Sequence, residues 1–175
     1  CSELHIDLTP VGDTKGSLVN ADSGQCIEIW NLVFIQYNAN PDGTFVPLAA
    51  RHVDTGMGFE RVAAVMQSTN GFSDFSRPVS NYDTDVFSSL FAEIEKLSGK
   101  KYAATLPGPG QTGQEKTDTA FRVIGDHILT PSFSIADGIY PVNTDRNSVF
   151  LRILRRAVRY GRPPGLHDPF SFLHV

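Results

Sequence analysis

From Cys26 to Gln67 the chain reads, without interruption, as strand, turn, strand, glycine pair and helix. Cys26 to Asn38 is a run of β-branched and aromatic residues suited to a central strand. Asn40-Pro41-Asp42-Gly43 supplies turn chemistry, and the chain resumes extended from Thr44 through Val53. Gly56 and Gly58 then lead into an apolar-periodic segment from Phe59 to Gln67. An antiparallel hairpin feeding a helix is the expected unit, which makes the fold class α+β.

Glu28, Asn31 and Gln36 sit inside the apolar run. A buried amide without a partner costs about 1–3 kcal/mol, so such groups are hydrogen-bonded or face a cavity. Asn31 is therefore a site candidate, against the alternative that it ties down a neighbouring loop.

The segment His52 to Arg61 has the composition of an anion site. Gly56 and Gly58 are expected to turn the backbone sharply and let a ligand approach the main chain. The following helix offers unpaired N–H groups at the positive end of its dipole. Arg61 adds a fork-shaped charge, and Asp54 supplies an acceptor for a substrate ammonium. A glycine pair before a helix also occurs as a plain tight turn. It is not a dinucleotide fingerprint, because Arg61 stands where the third glycine belongs.

Apolar positions Val86, Phe87, Leu90, Phe91, Ile94 and Leu97 predict an amphipathic helix from Thr84, ended by Gly99. A Gly/Pro-rich stretch, Leu106 to Gln114, reads as a linker. Beyond it, helices are expected from Asp118 to Gly138 and from Asn147 to Tyr160. The chain divides accordingly into 1–110, sheet with helix, and 111–175, all-α. The formal net charge is −4, so the arginines of the last helix are a local feature. Arg152, Arg155, Arg156 and Arg159 recur at helical spacing and build a basic stripe. Such a stripe suits a nucleic-acid backbone, or else forms a solvated or ion-paired face.

Cys1 and Cys26 lack Cys-x-x-Cys spacing, and the histidines are scattered. Neither a disulfide scaffold nor protein-bound zinc or another metal is expected. No stretch reaches the about 20 apolar residues of a membrane helix. A cytoplasmic setting without membrane association is the expectation.

Six segments, taken together, carry a family resemblance. They are Cys1 to Asp7, Glu28 to Tyr37, Val53 to Arg61, Ser80 to Asp85, Ala120 to Ile124 with Asp126 and His127, and Arg152 to Gly161. They closely resemble the alanyl-tRNA synthetases, a class II aminoacyl-tRNA synthetase family, nearly end to end. The resemblance implies that Val53 to Arg61 is motif 3, with Arg61 on the γ-phosphate of ATP and Gly58 under the nucleotide. It implies that Asn31 and Val33 line an alanine pocket closed by Gly56, where Asp54 pairs with the ammonium. ATP with Mg2+ is the implied co-substrate. The implied activity is alanine–tRNA ligase, forming alanyl-adenylate and charging tRNA(Ala).

The helical part is implied to begin a domain that reads the tRNA acceptor stem. By the same resemblance Asn143 is implied to approach its G·U pair, and the arginines of the last helix to contact the backbone. Motifs 1 and 2 are expected to precede Cys1, so the isolated 175 residues are expected to be inactive. Leu129, Pro131, Ser148 and Leu151 depart from the family pattern. Pro131 predicts a kink or break near Leu129. The alternative is a non-catalytic synthetase-like paralogue that binds a small amine or RNA.

Overall fold

The computed structural model describes residues 1–106, 108, 113–145 and 147–162. Two compact units divide between Thr84 and Asp85. The division expected at residues 110 and 111, and most of the expected linker, fall outside the described residues.

The first unit holds strands β1 (Ser2–Asp7), β2 (Cys26–Ala39) and β3 (Phe45–Met57) and helix α1 (Phe59–Ser68). The strands form an antiparallel sheet in the order β1-β2-β3. The β2–β3 turn closes as its residues dictate. Gly43 N donates to Asn40 O at 3.0 Å with Gly43 at φ +84°, the left-handed region that glycine occupies without strain. Asp42 Oδ1 accepts from the amide and hydroxyl of Thr44 at 2.9 and 2.6 Å.

Between β1 and β2, one carboxylate organises the connection. Asp7 Oδ1 accepts from Thr9 N and Oγ1 at 2.9 and 2.6 Å, and Oδ2 from Thr14 N and Oγ1 at 2.8 and 2.7 Å. The Thr9 hydroxyl first, then the Thr14 hydroxyl and both amides, hold this carboxyl far below the usual carboxylate range.

The sharp turn expected at Gly56 and Gly58 is not there. Neither glycine has a positive φ, and Gly56 lies within β3. Gly58, at φ −73° and ψ 99°, still donates its N–H to Ile29 O at 3.0 Å, so pairing with β2 persists up to the start of α1. The reason is the sheet: a ladder continued to Gly58 satisfies backbone groups that a turn would leave to solvent. What these glycines supply is space. A Cβ at Gly56 would meet nothing within 4 Å, and one at Gly58 would lie 3.2 Å from Arg61 Cδ.

The second unit contains α2 (Asp85–Ser98), α3 (Gly113–Ala136) and α4 (Ser148–Gly161). Phe87, Phe91, Ile94, Ala120, Phe121, Ile124 and Ala157 are its buried apolar residues. Phe91 meets Tyr102 and Phe121 with ring centroids 4.5 and 5.8 Å away. Asp118, wholly buried on α3, fastens the segment after α2. Its carboxylate accepts from Ala103 N at 3.0 Å, Thr105 N at 2.8 Å, Thr105 Oγ1 at 2.7 Å and Gln114 Nε2 at 2.7 Å. One turn on, Arg122 donates to Thr105 O at 2.6 Å and Tyr102 Oη at 3.1 Å.

α3 runs unbroken through Pro131, against the expected break. A proline forfeits one hydrogen bond of a long helix. Here the proline is buried, and packing offsets that loss. Earlier in α3, Gly125 sits under the aromatic rings: a Cβ there would lie 2.9 Å from Phe91 Cε1 and 3.4 Å from Phe87 Cδ1. Gly125→Ala gains about 1 kcal/mol in helix propensity but overpacks a closed aromatic core at a cost of about 1–3 kcal/mol. A net destabilisation is expected, read as a lower urea midpoint; an unchanged or raised midpoint refutes the packing argument.

Candidate functional site

The register of β2 and β3 assembles the site. Asn31 pairs with Gly56 and Val33 with Asp54. Directly paired residues share a sheet face, as do residues two apart on one strand. All four therefore lie on one face in two adjacent rows. β1 extends the first row, because Glu3 pairs with Asn31. The Glu3 carboxylate is hydrogen-bonded to His5 Nε2 at 3.0 Å. His5 Nδ1 is buried and has no partner among the described residues.

Two rungs beyond Gly56's neighbour Met57, the same edge becomes a helix terminus. α1 begins at Phe59 with Gly58 as its N-cap, which offers no side-chain acceptor to the first-turn N–H groups. Arg61, in that first turn, donates from Nη1 to Glu28 O at 2.7 Å, so a carbonyl of β2 fixes the guanidinium. The space left by Gly58 lets the Arg61 side chain lie against the backbone. Acidic Asp54 thus lies on β3 four residues before Gly58, and cationic Arg61 lies in the first turn of the helix that follows. From Asp54 to Gly58 the backbone rises about 13 Å at a strand's rise per residue.

Sequence reasoning missed Glu3, His5 and the Glu28 carbonyl. The register places Glu3 beside Asn31, and the Arg61 hydrogen bond marks the Glu28 carbonyl; the carboxylate two residues from the His5 imidazole was a visible signal.

In the second unit, Arg152, Arg155, Arg156, Arg159 and Tyr160 line an open groove of about 550 Å³ along α4. The four arginines are exposed, while Ala157 and Gly161 turn inward and α4 packs on α3. Arg156 lies over the Tyr160 ring, 5.7 Å from its centroid. Among the described residues no ion pair engages these four guanidinium groups. Asn143 is exposed in the segment between α3 and α4. Among the described residues no group of His, Cys, Asp and Glu gathers as a metal site, and no helix is long and apolar enough to cross a membrane.

Comparison with known proteins gives a consistent result. An alanine–tRNA ligase of Akkermansia muciniphila is 64% identical over 176 residues, covering 97% of this chain and 19% of the relative. Alanine–tRNA ligases of Methylacidiphilum infernorum and Opitutus terrae are 51% and 56% identical, covering 98% and 97% of this chain and 19% of each relative. The chain thus spans about a fifth of the length of these relatives and shares more than half its residues with each. Residues 1–174 match the family model described as tRNA synthetases class II (A), and the chain belongs to that family.

Proposed function

We propose that the protein carrying this chain is an alanine–tRNA ligase, which activates alanine with ATP to alanyl-adenylate and transfers the alanyl group to tRNA(Ala). The observation that supports this most is the shared sheet face of Asn31, Val33, Asp54 and Gly56, with Arg61 and the N-terminus of α1 at its end.

In this reading the Asp54 carboxylate pairs with the substrate ammonium, and Asn31 and Val33 bound the side-chain pocket. Gly56 closes the pocket without a side chain of its own. The alanine carboxylate attacks the α-phosphate of ATP and pyrophosphate leaves, so catalysis rests on positioning and charge neutralisation. Arg61 neutralises the γ-phosphate, and Gly58 lies beneath the nucleotide. Mg2+ accompanies ATP as part of the substrate. A pocket this simple discriminates one methylene by only about 1–3 kcal/mol, so serine and glycine compete. The reaction belongs in the cytoplasm, with translation.

The test is ATP–pyrophosphate exchange by the full-length protein with alanine, serine and glycine. Alanine-dependent exchange is expected; its absence from a folded protein refutes the reading. Gly58→Ala should raise KM for ATP about fivefold, because the new Cβ displaces Arg61 by a few tenths of an ångström and misplacement by about 1 Å can cost 100-fold. An unchanged KM for ATP excludes Arg61 from nucleotide binding.

The second unit is read as part of a helical tRNA-recognition domain, residues 111–175 in the division proposed from sequence. The exposed arginines Arg152, Arg155, Arg156 and Arg159 contact acceptor-stem phosphates, and Asn143 reads a base edge, since an amide both donates and accepts. Replacing Arg152 and Arg159 together with alanine should flatten the salt dependence of tRNA binding by about two units of log K against log salt. An unaltered slope, measured by filter binding across a salt series, rules out phosphate contacts there.

A further inference from the structure

Thr55 stands between Asp54 and Gly56, on the opposite face of β3 from both. Its hydroxyl does two things at once. It accepts from the Trp30 indole Nε1–H at 2.5 Å and donates to the carbonyl of Asn31 at 3.1 Å. The relay therefore starts on a β2 side chain, crosses to β3 and returns to the β2 backbone at the residue that pairs with Gly56.

We propose that Trp30 and Thr55 are positioning residues, a pin behind the sheet that fixes Asn31 and Gly56, and with them Val33 and Asp54, in the alignment the amino-acid pocket requires. The inference rests on the ligase reading above and adds residues outside the pocket to it.

Three features carry the assignment. An indole N–H in a strand needs an acceptor, and this one takes a hydroxyl on the adjacent strand rather than water. The Thr55 side chain contributes a cross-strand bond beyond the backbone ladder, at the rung where a side-chain-free residue faces the ligand and contributes no packing of its own. β2 also carries an irregularity in register between Ile35 and Tyr37, and β1 another between Leu4 and His5. The alignment of the rows between them thus needs local definition. A slip by one residue would carry Asn31 and Val33 to the other face.

Both bonds are solvent-accessible, and such bonds add little to stability. Position is accordingly separable from folding. The relay acts on the amino-acid end of the site, whereas Arg61 is anchored separately, on the Glu28 carbonyl. Loss of the pin should weaken alanine binding and spare ATP binding.

The experiment is steady-state exchange kinetics on the full-length enzyme with Thr55→Val, Thr55→Ser and Trp30→Phe. Thr55→Val keeps shape and deletes the hydroxyl. It is expected to raise KM for alanine about tenfold, with KM for ATP and Tm within error of the unsubstituted enzyme. Trp30→Phe keeps an aromatic ring, deletes the donor and should shift KM for alanine in the same direction. Thr55→Ser restores the hydroxyl and should restore KM. Unchanged KM for alanine in Thr55→Val, or equal rises for alanine and ATP, overturns the positioning role. Failure of Thr55→Ser to rescue also overturns it. Lack of alanine-dependent exchange in the unsubstituted enzyme is a separate outcome that refutes the ligase reading, and this inference with it.

Discussion

Asp54→Ala in the full-length enzyme should raise KM for alanine about 100-fold while leaving KM for ATP within about twofold. The reasoning starts from charge. A hydrogen bond between an ammonium and a carboxylate contributes about 1.5–3 kcal/mol, and removing one partner leaves the other desolvated without compensation. Each 1.4 kcal/mol is about a factor of ten, so roughly two decades follow. The fold has no stake in the substitution. Asp54 is exposed, and among the described residues no side-chain hydrogen bond reaches its carboxylate. Asp54→Asn, which keeps an acceptor and loses the charge, should fall between the two. The readout is alanine-dependent ATP–pyrophosphate exchange across a range of alanine concentrations. A KM for alanine within twofold of the unsubstituted enzyme would remove Asp54 from the ammonium site.

The largest effect on stability is expected at Asp118. Asp118→Ala strands the amides of Ala103 and Thr105, which now end on its carboxylate. It also removes the partner of Thr105 Oγ1 and Gln114 Nε2. The expected loss is about 3 kcal/mol, in the range for breaking a buried hydrogen-bond network. Chemical denaturation of the chain, followed by a probe in the second unit, would measure it.

The same carboxylate carries a pH signature. Burial pushes its pKa up, and the bonds from Thr105, Ala103 and Gln114 together outweigh burial, leaving it below the ordinary 3.8. A group whose folded pKa is depressed stabilises fully above its unfolded value. That contribution is lost as pH falls through the folded value. Stability should therefore decline below about pH 4, and the decline should be shallower in Asp118→Asn. An Asp118→Ala midpoint close to the parent's would mean that solvent satisfies the amides equally well.

Most of the local structure was legible because its causes lie within a few residues. Asn40 to Gly43 dictated a turn, and the periodicity of Val86 to Leu97 dictated α2, which ends before Gly99 at φ +66°. The helix after Gly58 appeared where its apolar spacing placed it. The glycine pair was misread for the same reason. Glycine is locally compatible with a turn, but a neighbouring strand offering the Ile29 carbonyl decided that the backbone stays extended. Pro131 was likewise judged by its local cost, which burial of the ring offsets.

By itself, then, the sequence determined the β2–β3 hairpin and its turn, the helices α1, α2 and α4, which family the chain belongs to, and which side-chain types are available for chemistry. The tertiary structure alone decided that Asn31 faces Gly56, that Val33 faces Asp54, that Glu3 joins their row, and that Arg61 rests on the Glu28 carbonyl. It also decided that Asp118 closes on amides more than ten positions away. The division follows from range. Turns and helices are set by dihedral preferences and spacing within one or two turns of chain. Strand register and buried polar hubs are set by partners distant in sequence, and a shift of one residue exchanges every face.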